Sequence, residues 1–283
     1  MKKLLFFISI FPMILLAGCE KTLPAKIKIE PNSERSSFES RISISPMDES
    51  VTVSRSQIIL APKSENMTYT LSGYFDGQII VNTKNTVLKL KDAYIENSSG
   101  KEAIVANAKT ELSTEKDSVN YIVSRGRSLL KKAALESKKP LVLGGSGTLF
   151  VKGFVCHAVE AEDVKIKGSG AFYFEGTRRG SALTCQTFEV EDGKTFTAFF
   201  LNSKNGIKAE RTVTVNSGNL HFYSNGTAIK TDIKEDSPKY AHGITLNGGN
   251  IYLEENGRDY ITDEGALVIK TRISDENALK EAM

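Results

Sequence analysis

The chain has 283 residues, 40% hydrophobic and 25% charged, with 37 Lys and Arg against 34 Asp and Glu. A formal charge of +3 with both signs interspersed offers no electrostatic case for nucleic acid, and three cysteines do not make a disulfide scaffold. The length accommodates one large domain, and no second composition regime interrupts it.

Lys2 and Lys3 precede an apolar run from Leu4 to Leu16, broken by Ser9 and Pro12, and the segment closes on Leu16-Ala17-Gly18-Cys19. This pattern predicts a secretory signal peptide over residues 1–18, too short for a comfortable membrane span. Small residues directly before a Cys resemble the bacterial lipobox. The resemblance implies that Cys19 carries a diacylglyceryl thioether, becomes the N-terminus and is acylated there. Several acyl chains, at about 0.8 kcal/mol per buried methylene, make such an anchor effectively permanent. The expected product is an exported lipoprotein of the cell envelope. Glu20 does not resemble the inner-membrane retention signal, so the outer membrane or cell surface is favoured. Loss of Lys2 and Lys3 leaves 35 basic and 34 acidic residues. Residues 19–65, rich in Ser, Lys and Glu with Pro24, Pro31, Pro46 and Pro62, read as a lipidated tether with edge strands at Arg41–Ser45 and Val51–Ser54.

From Asn66 the sequence alternates in short strands separated by Gly and Asn. A small residue followed by a branched aliphatic recurs as Ala103-Ile104, Ala134-Leu135, Ala158-Val159, Ala182-Leu183, Gly206-Ile207 and Ala228-Ile229, then as Tyr260-Ile261 with Tyr in the small slot. The steps are 31, 24, 24, 24, 22 and 32 residues. A period near 24 that persists this long marks stacked repeats. Within each repeat a first strand alternates, as in Leu88-Lys89-Leu90, Val164-Lys165-Ile166, Val213-Thr214-Val215 and Ile244-Thr245-Leu246. A Gly-rich turn leads to a second strand: Leu149-Phe150-Val151, Phe172-Tyr173-Phe174, Leu220-His221-Phe222 and Ile251-Tyr252-Leu253. A polar bend then leads to the small–aliphatic pair, which opens a third strand. Period-2 alternation puts the flanking apolar residues inside and the middle residue outside. Three strands and no helix per repeat predict an all-β parallel β-helix, a solenoid of about 7–8 rungs over residues 66–273. Lys234–His242 reads as an inserted loop. Residues 274–283 read as a tail or capping helix, starting at Ser274.

The outward middle residues of the second strand are Tyr94, Tyr121, Phe150, Tyr173, Thr197, His221 and Tyr252. Stacked about 4.8 Å apart, they predict one exposed ladder. Such a ladder suits the apolar faces of pyranose sugars, with Tyr hydroxyls adding hydrogen bonds. It equally suits a purely structural role, since aromatic residues favour strands. Catalytic constellations are poor: His157, His221 and His242 fall at different places in the repeat, with no Ser or Cys partner in register. Asp259, Asp263 and Glu264 form the acidic cluster at a rung corner, joined distantly by Asp232; they are candidate calcium ligands or a solvated turn. Cys156 and Cys185 occupy different places in the repeat and read as separate buried thiols, although an exported compartment permits a disulfide.

Leu71-Ser72-Gly73, Asp76-Gly77-Gln78-Ile79-Ile80-Val81, Ile95-Glu96-Asn97-Ser98-Ser99-Gly100 and the Gly-Ser-Gly rungs after them make residues 66–270 resemble a family of bacterial carbohydrate-binding β-helix proteins related in fold to pectate lyases. The resemblance implies a right-handed β-helix that binds cellulose-like or acidic polysaccharides, with calcium at acidic rung corners and no demonstrated lyase chemistry. The chain departs from the family's Asp-Asp-Gly-Ile corner, showing Arg178-Arg179-Gly180, Lys204-Asn205-Gly206-Ile207 and Gly226-Thr227-Ala228-Ile229 instead. Only Asp259-Tyr260-Ile261 keeps an acid. The absence of Trp weakens tight cellulose binding. The expected function is non-catalytic polysaccharide binding by a lipid-anchored protein. One alternative is a polysaccharide lyase or hydrolase recruiting Arg178, Lys208 or Lys230. Another is an adhesin or structural envelope protein that binds protein.

Overall fold

The computed structural model describes residues 41–61, 65–126, 132–193, 195–232, 243–262 and 266–273, and every regular element among them is a β-strand. The expected leader, Cys19, most of the expected tether, the expected Lys234–His242 loop and the expected C-terminal tail or helix lie outside the described residues.

Alternating sequence becomes alternating burial. In Val164-Lys165-Ile166 the two aliphatic side chains are buried and Lys165 faces outward. The same holds for Leu149-Phe150-Val151 and Phe172-Tyr173-Phe174. Pairing is parallel except at the start of the described chain, and it resolves into three ladders that the chain visits in a fixed order.

The third-strand ladder carries the small–aliphatic pair. Its inward column runs Ile58, Ile79, Ile104, Leu135, Val159, Leu183, Ile207, Ile229 and Tyr260, each paired with the next. Two sequence expectations shift here. Parallel pairing reaches back to Gln57, ahead of the expected start at Asn66. Tyr260 takes the aliphatic slot opposite Ile229 rather than the small slot, so Ile261 follows Lys230. The small residues do sit in a tight corner: Ala103, Ala134, Ala158, Ala182 and Ala228 are fully buried.

The first-strand ladder has the inward column Tyr69, Leu88, Leu112, Leu143, Ile166, Val190, Val215, Leu246 and Ile269. Leu88, not Leu90, is therefore the counterpart of Ile166, and the alignment of Leu88-Lys89-Leu90 with Val164-Lys165-Ile166 is two residues out of register. Thr86 fills the other inward slot. It is fully buried and its hydroxyl donates to the Thr83 carbonyl, so a polar residue occupies a position that reads as surface. Gly145 turns out of this ladder at φ +95°, and a Cβ there would lie 2.2 Å from the Thr114 carbonyl oxygen.

The second-strand ladder has the inward column Phe75, Ile95, Ile122, Val151, Phe174, Phe200, Phe222 and Leu253. Phe174, Phe200 and Phe222 stack inside the core at 5.4 and 4.8 Å between ring centroids. The strands Arg41–Ser45 and Val51–Val53 pair antiparallel with Thr68–Asp76 and Gln57–Leu60, as edge strands. Cys156 and Cys185 are both free and buried. Because Val159 pairs with Leu183, the two thiols stand five positions apart along the ladder.

Candidate functional site

The outward column of the second-strand ladder is Tyr74, Tyr94, Tyr121, Phe150, Tyr173, Phe199, His221 and Tyr252, in strict register. Tyr94, Tyr121, Phe150, Tyr173, His221 and Tyr252 stand as the sequence placed them. Thr197 does not. It pairs with Ala171 and Asn219, and Phe199 takes its slot. Phe196 misleads the reading: it is fully buried, like an inward strand residue, but lies ahead of the strand and meets Phe172 edge-on. Tyr74 was missed because its strand also serves the first-strand ladder, with a register shift between Leu71 and Gly73.

Successive ring centroids lie 5.6, 5.2, 5.0, 4.5, 4.5, 4.6 and 4.2 Å apart from Tyr74 to Tyr252. From Tyr121 onward the planes are within 19° of parallel. Each π-face there is covered by the next ring. The expected exposed platform is thus a half-buried stack offering edges and hydroxyls, with Tyr94 only 3% exposed.

Not every hydroxyl is available. The buried Glu96 carboxylate accepts from Tyr74 at 2.8 Å and Tyr94 at 3.3 Å, and lies 3.2 Å from the Arg125 guanidinium. Burial, then the Glu96 charge, push the Tyr94 phenol up to about 12. The hydroxyls of Tyr121 and Tyr173 have no partner among the described residues, and burial raises the Tyr173 phenol. Phe154, at the bend just past the strand Thr148–Gly153, is 44% exposed. The Lys152 ammonium lies 4.6 Å from its ring centroid and the Arg125 guanidinium 5.7 Å. Lys152 also pairs at 3.0 Å with Glu175, whose carboxylate accepts from Asn202.

The metal candidates do not converge. Asp232 lies 2.8 Å from the Lys208 ammonium and 2.6 Å from that of Lys230. Burial pushes its carboxyl up, but the two lysines outweigh that and hold it below the usual range. Asp259 precedes Tyr260, the partner of Ile229, so it stands four positions before Asp232 along the strand direction. Asp263 and Glu264 lie outside the described residues. No group of three His, Cys, Asp or Glu among the described residues is placed to hold a metal ion. Among the described residues the corners do not supply the six to eight oxygens that calcium takes.

The third-strand face carries a carboxyl row absent from the sequence reading. Glu136 pairs in register with Glu160, and burial raises both carboxyls. Beside them Glu102, 6% exposed, takes the Lys132 ammonium at 2.5 Å.

Residues 55–194 match the model of a family described as "Carbohydrate-binding domain-containing protein". No curated protein matches the chain. Among solved structures, one described as "Structure of the polysaccharide lyase-like protein from C. thermocellum, Gadolinium derivative" is similar over 81% of this chain and 92% of that one. It superposes with a TM-score of 0.55 at 20% identity. At that identity the likeness concerns the path of the backbone: this chain and that protein share an all-β fold.

Proposed function

We propose that this chain is a lipoprotein, anchored through Cys19 at the outer membrane or cell surface, that binds polysaccharide without cleaving it. Its scaffold in this reading is a right-handed parallel β-helix. Support for the scaffold comes from the three in-register parallel ladders visited in constant order. Support for the ligand comes from the likeness of residues 55–194 to a carbohydrate-binding family. The observation that carries the site is the column of eight ring side chains, which offers one edge every 4.8 Å or so along a line. A linear glycan lying on that line meets ring edges and the Tyr121 and Tyr173 hydroxyls. Phe154, exposed although Lys152 and Arg125 lie over its ring, adds apolar surface that the stack itself withholds.

Phe154→Ala and the double variant Tyr121→Phe/Tyr173→Phe are each expected to weaken retention on immobilised polysaccharide two- to fivefold, without change in melting temperature. Phe in place of Tyr keeps the stack and removes only the hydroxyls. Unaltered retention in both variants removes the ladder face as the site.

The lysines named for an eliminase support the non-catalytic reading. Lys208 and Lys230 are both engaged in ion pairs with Asp232, which occupies the groups that an eliminase would need free. A hydrolase keeps one observation in its favour, the adjacent raised carboxyls of Glu136 and Glu160. New reducing ends released from polysaccharide by the wild type, and lost in Glu160→Gln, would establish it. Unsaturated products would establish the lyase instead.

A further inference from the structure

The outward column of the third-strand ladder changes character in a fixed order along the stack. Glu136, Glu160, Thr184, Lys208 and Lys230 follow one another in register, and all five are partly exposed. The register continues to Val105 beyond Glu136 and to Ile261 beyond Lys230. About its centre at Thr184 the column is antisymmetric. One strand away, Glu160 on one side answers Lys208 on the other, and two strands away Glu136 answers Lys230. At three strands both residues are aliphatic.

Ion pairing within the chain leaves this contrast in place. At one end three carboxylates, Glu102, Glu136 and Glu160, share the Lys132 ammonium, which pairs with Glu102 and lies 3.8 Å from Glu136. Burial, and then the neighbouring Glu102 carboxylate, raise the Glu136 carboxyl. Burial also raises that of Glu160 against the pull of Lys132. At the other end two ammonium groups, those of Lys208 and Lys230, share one carboxylate, Asp232, at 2.8 and 2.6 Å. One half of the column is short of cations and the other half is short of anions.

We propose that this face meets the same face of a second copy of the chain, about a two-fold axis lying along the Thr184 strand. Such an axis reverses the order of strands, so Glu160 meets the partner's Lys208 and Glu136 meets the partner's Lys230. Each contact is made twice, as a two-fold interface requires. Thr184 meets its own copy, and Val105 lies opposite the position of Ile261. An axis along the stack would set Glu136 and Glu160 against their own copies, which like charge disfavours. In the next column the reversed order sets Lys138 opposite Asp232 and Glu162 opposite Glu210. Lys139, 3.7 Å from Glu162, offsets the second of these. Seven strands at a spacing near 4.8 Å span about 29 Å, and the face is narrow, since Leu135–Ser137 and Val159–Ala161 are three residues each. That strip falls short of an obligate interface, so the dimer is weak and reversible. It uses a different ladder from the aromatic column and stands whether or not that column binds sugar.

Covalent capture suits a weak contact. Thr184→Cys in the full-length chain puts a thiol on the axis, and Thr214→Cys, outward on the first-strand ladder, is its control. With a bis-maleimide spanning about 10 Å, the distance between packed sheets, Thr184→Cys is expected to give about five times more homodimer than the control or the wild type. Adding Glu160→Lys or Lys208→Glu cuts that yield about fivefold, since each change acts twice across the axis. Mixing the two charge variants, or combining both changes in one chain, restores it, because opposite charges again face each other. Raising salt from about 50 to about 500 mM lowers the yield severalfold without any charge substitution. Equal yields from Thr184→Cys and Thr214→Cys overturn the interface, as does a yield indifferent to salt. Failure of both the mixture and the double variant to restore the yield overturns the two-fold register. Cross-linking in cells to a protein of another mass, without homodimer, overturns the second copy as occupant.

Discussion

Phe200→Ala is expected to lower the unfolding free energy by about 4 kcal/mol, the largest effect of any single change considered. Phe200 is fully buried, stacked between Phe174 and Phe222 and met edge-on by Phe188 at 6.2 Å. Truncation loses the transfer free energy of the ring and leaves a cavity. The cavity closes poorly, because the strands above and below are fixed by parallel hydrogen bonding at about 4.8 Å and cannot approach. The neighbouring rings are already in contact with their own partners, so they have little to gain by moving. Urea unfolding of the purified domain reads the change directly as a shift in midpoint at constant slope. A loss below about 1 kcal/mol would mean that the aromatic column is loosely packed and that the ladder outside it is not held by the core. Phe199 leaves the same strand on the opposite face, so the variant also tests whether core and outer column are coupled.

The fold was legible wherever period-2 alternation was clean. Val164-Lys165-Ile166 and Phe172-Tyr173-Phe174 put their flanks inside as written, and six of the seven small–aliphatic pairs fall in register. Slips occurred where a residue type disguised its side. Buried Thr86 hid an inward position, and small Ala198 occupied an inward slot that the neighbouring strands fill with Phe172 and Leu220. Both of these errors were two residues, a slip that keeps alternation intact, whereas the Tyr260 pair slipped by one. Composition could not show that the rings cover one another's faces, since that depends on side-chain angles rather than on register. Charge pairing was also out of reach. Lys167 and Glu111 are 56 residues apart in sequence yet 2.7 Å apart in space. The sequence therefore exposed the loss of corner acids, but not that Arg178, Arg179 and Lys204 in their place have no ion-pair partner among the described residues.

His221 supplies the second large effect, a loss of stability of about 1.5 kcal/mol between pH 7 and pH 4 that is absent in His221→Phe. The imidazole lies between Phe199 and Tyr252 at 4.6 and 4.2 Å, and its buried Nδ1 has no hydrogen-bond partner among the described residues. Burial pulls its pKa down from 6.5 to about 4. As pH falls through that window the unfolded chain takes up the proton first, so the folded state loses ground. Above pH 6.5 both states are neutral, and below pH 4 both are charged. The full interval corresponds to about 3 kcal/mol. Partial exposure and attraction of the cation to two ring faces reduce it to about half. Other groups titrate nearby: the raised carboxyls of Glu136 and Glu160 act in the opposite sense, and the lowered carboxyl of Asp232 adds to the acid loss. Only the difference between wild type and His221→Phe isolates the imidazole, since Phe preserves the stack. Parallel stability curves for the two proteins across pH 4–7 would show that the ladder accepts a charged ring at no cost. The outer column would then be a far wetter surface than its stacking implies.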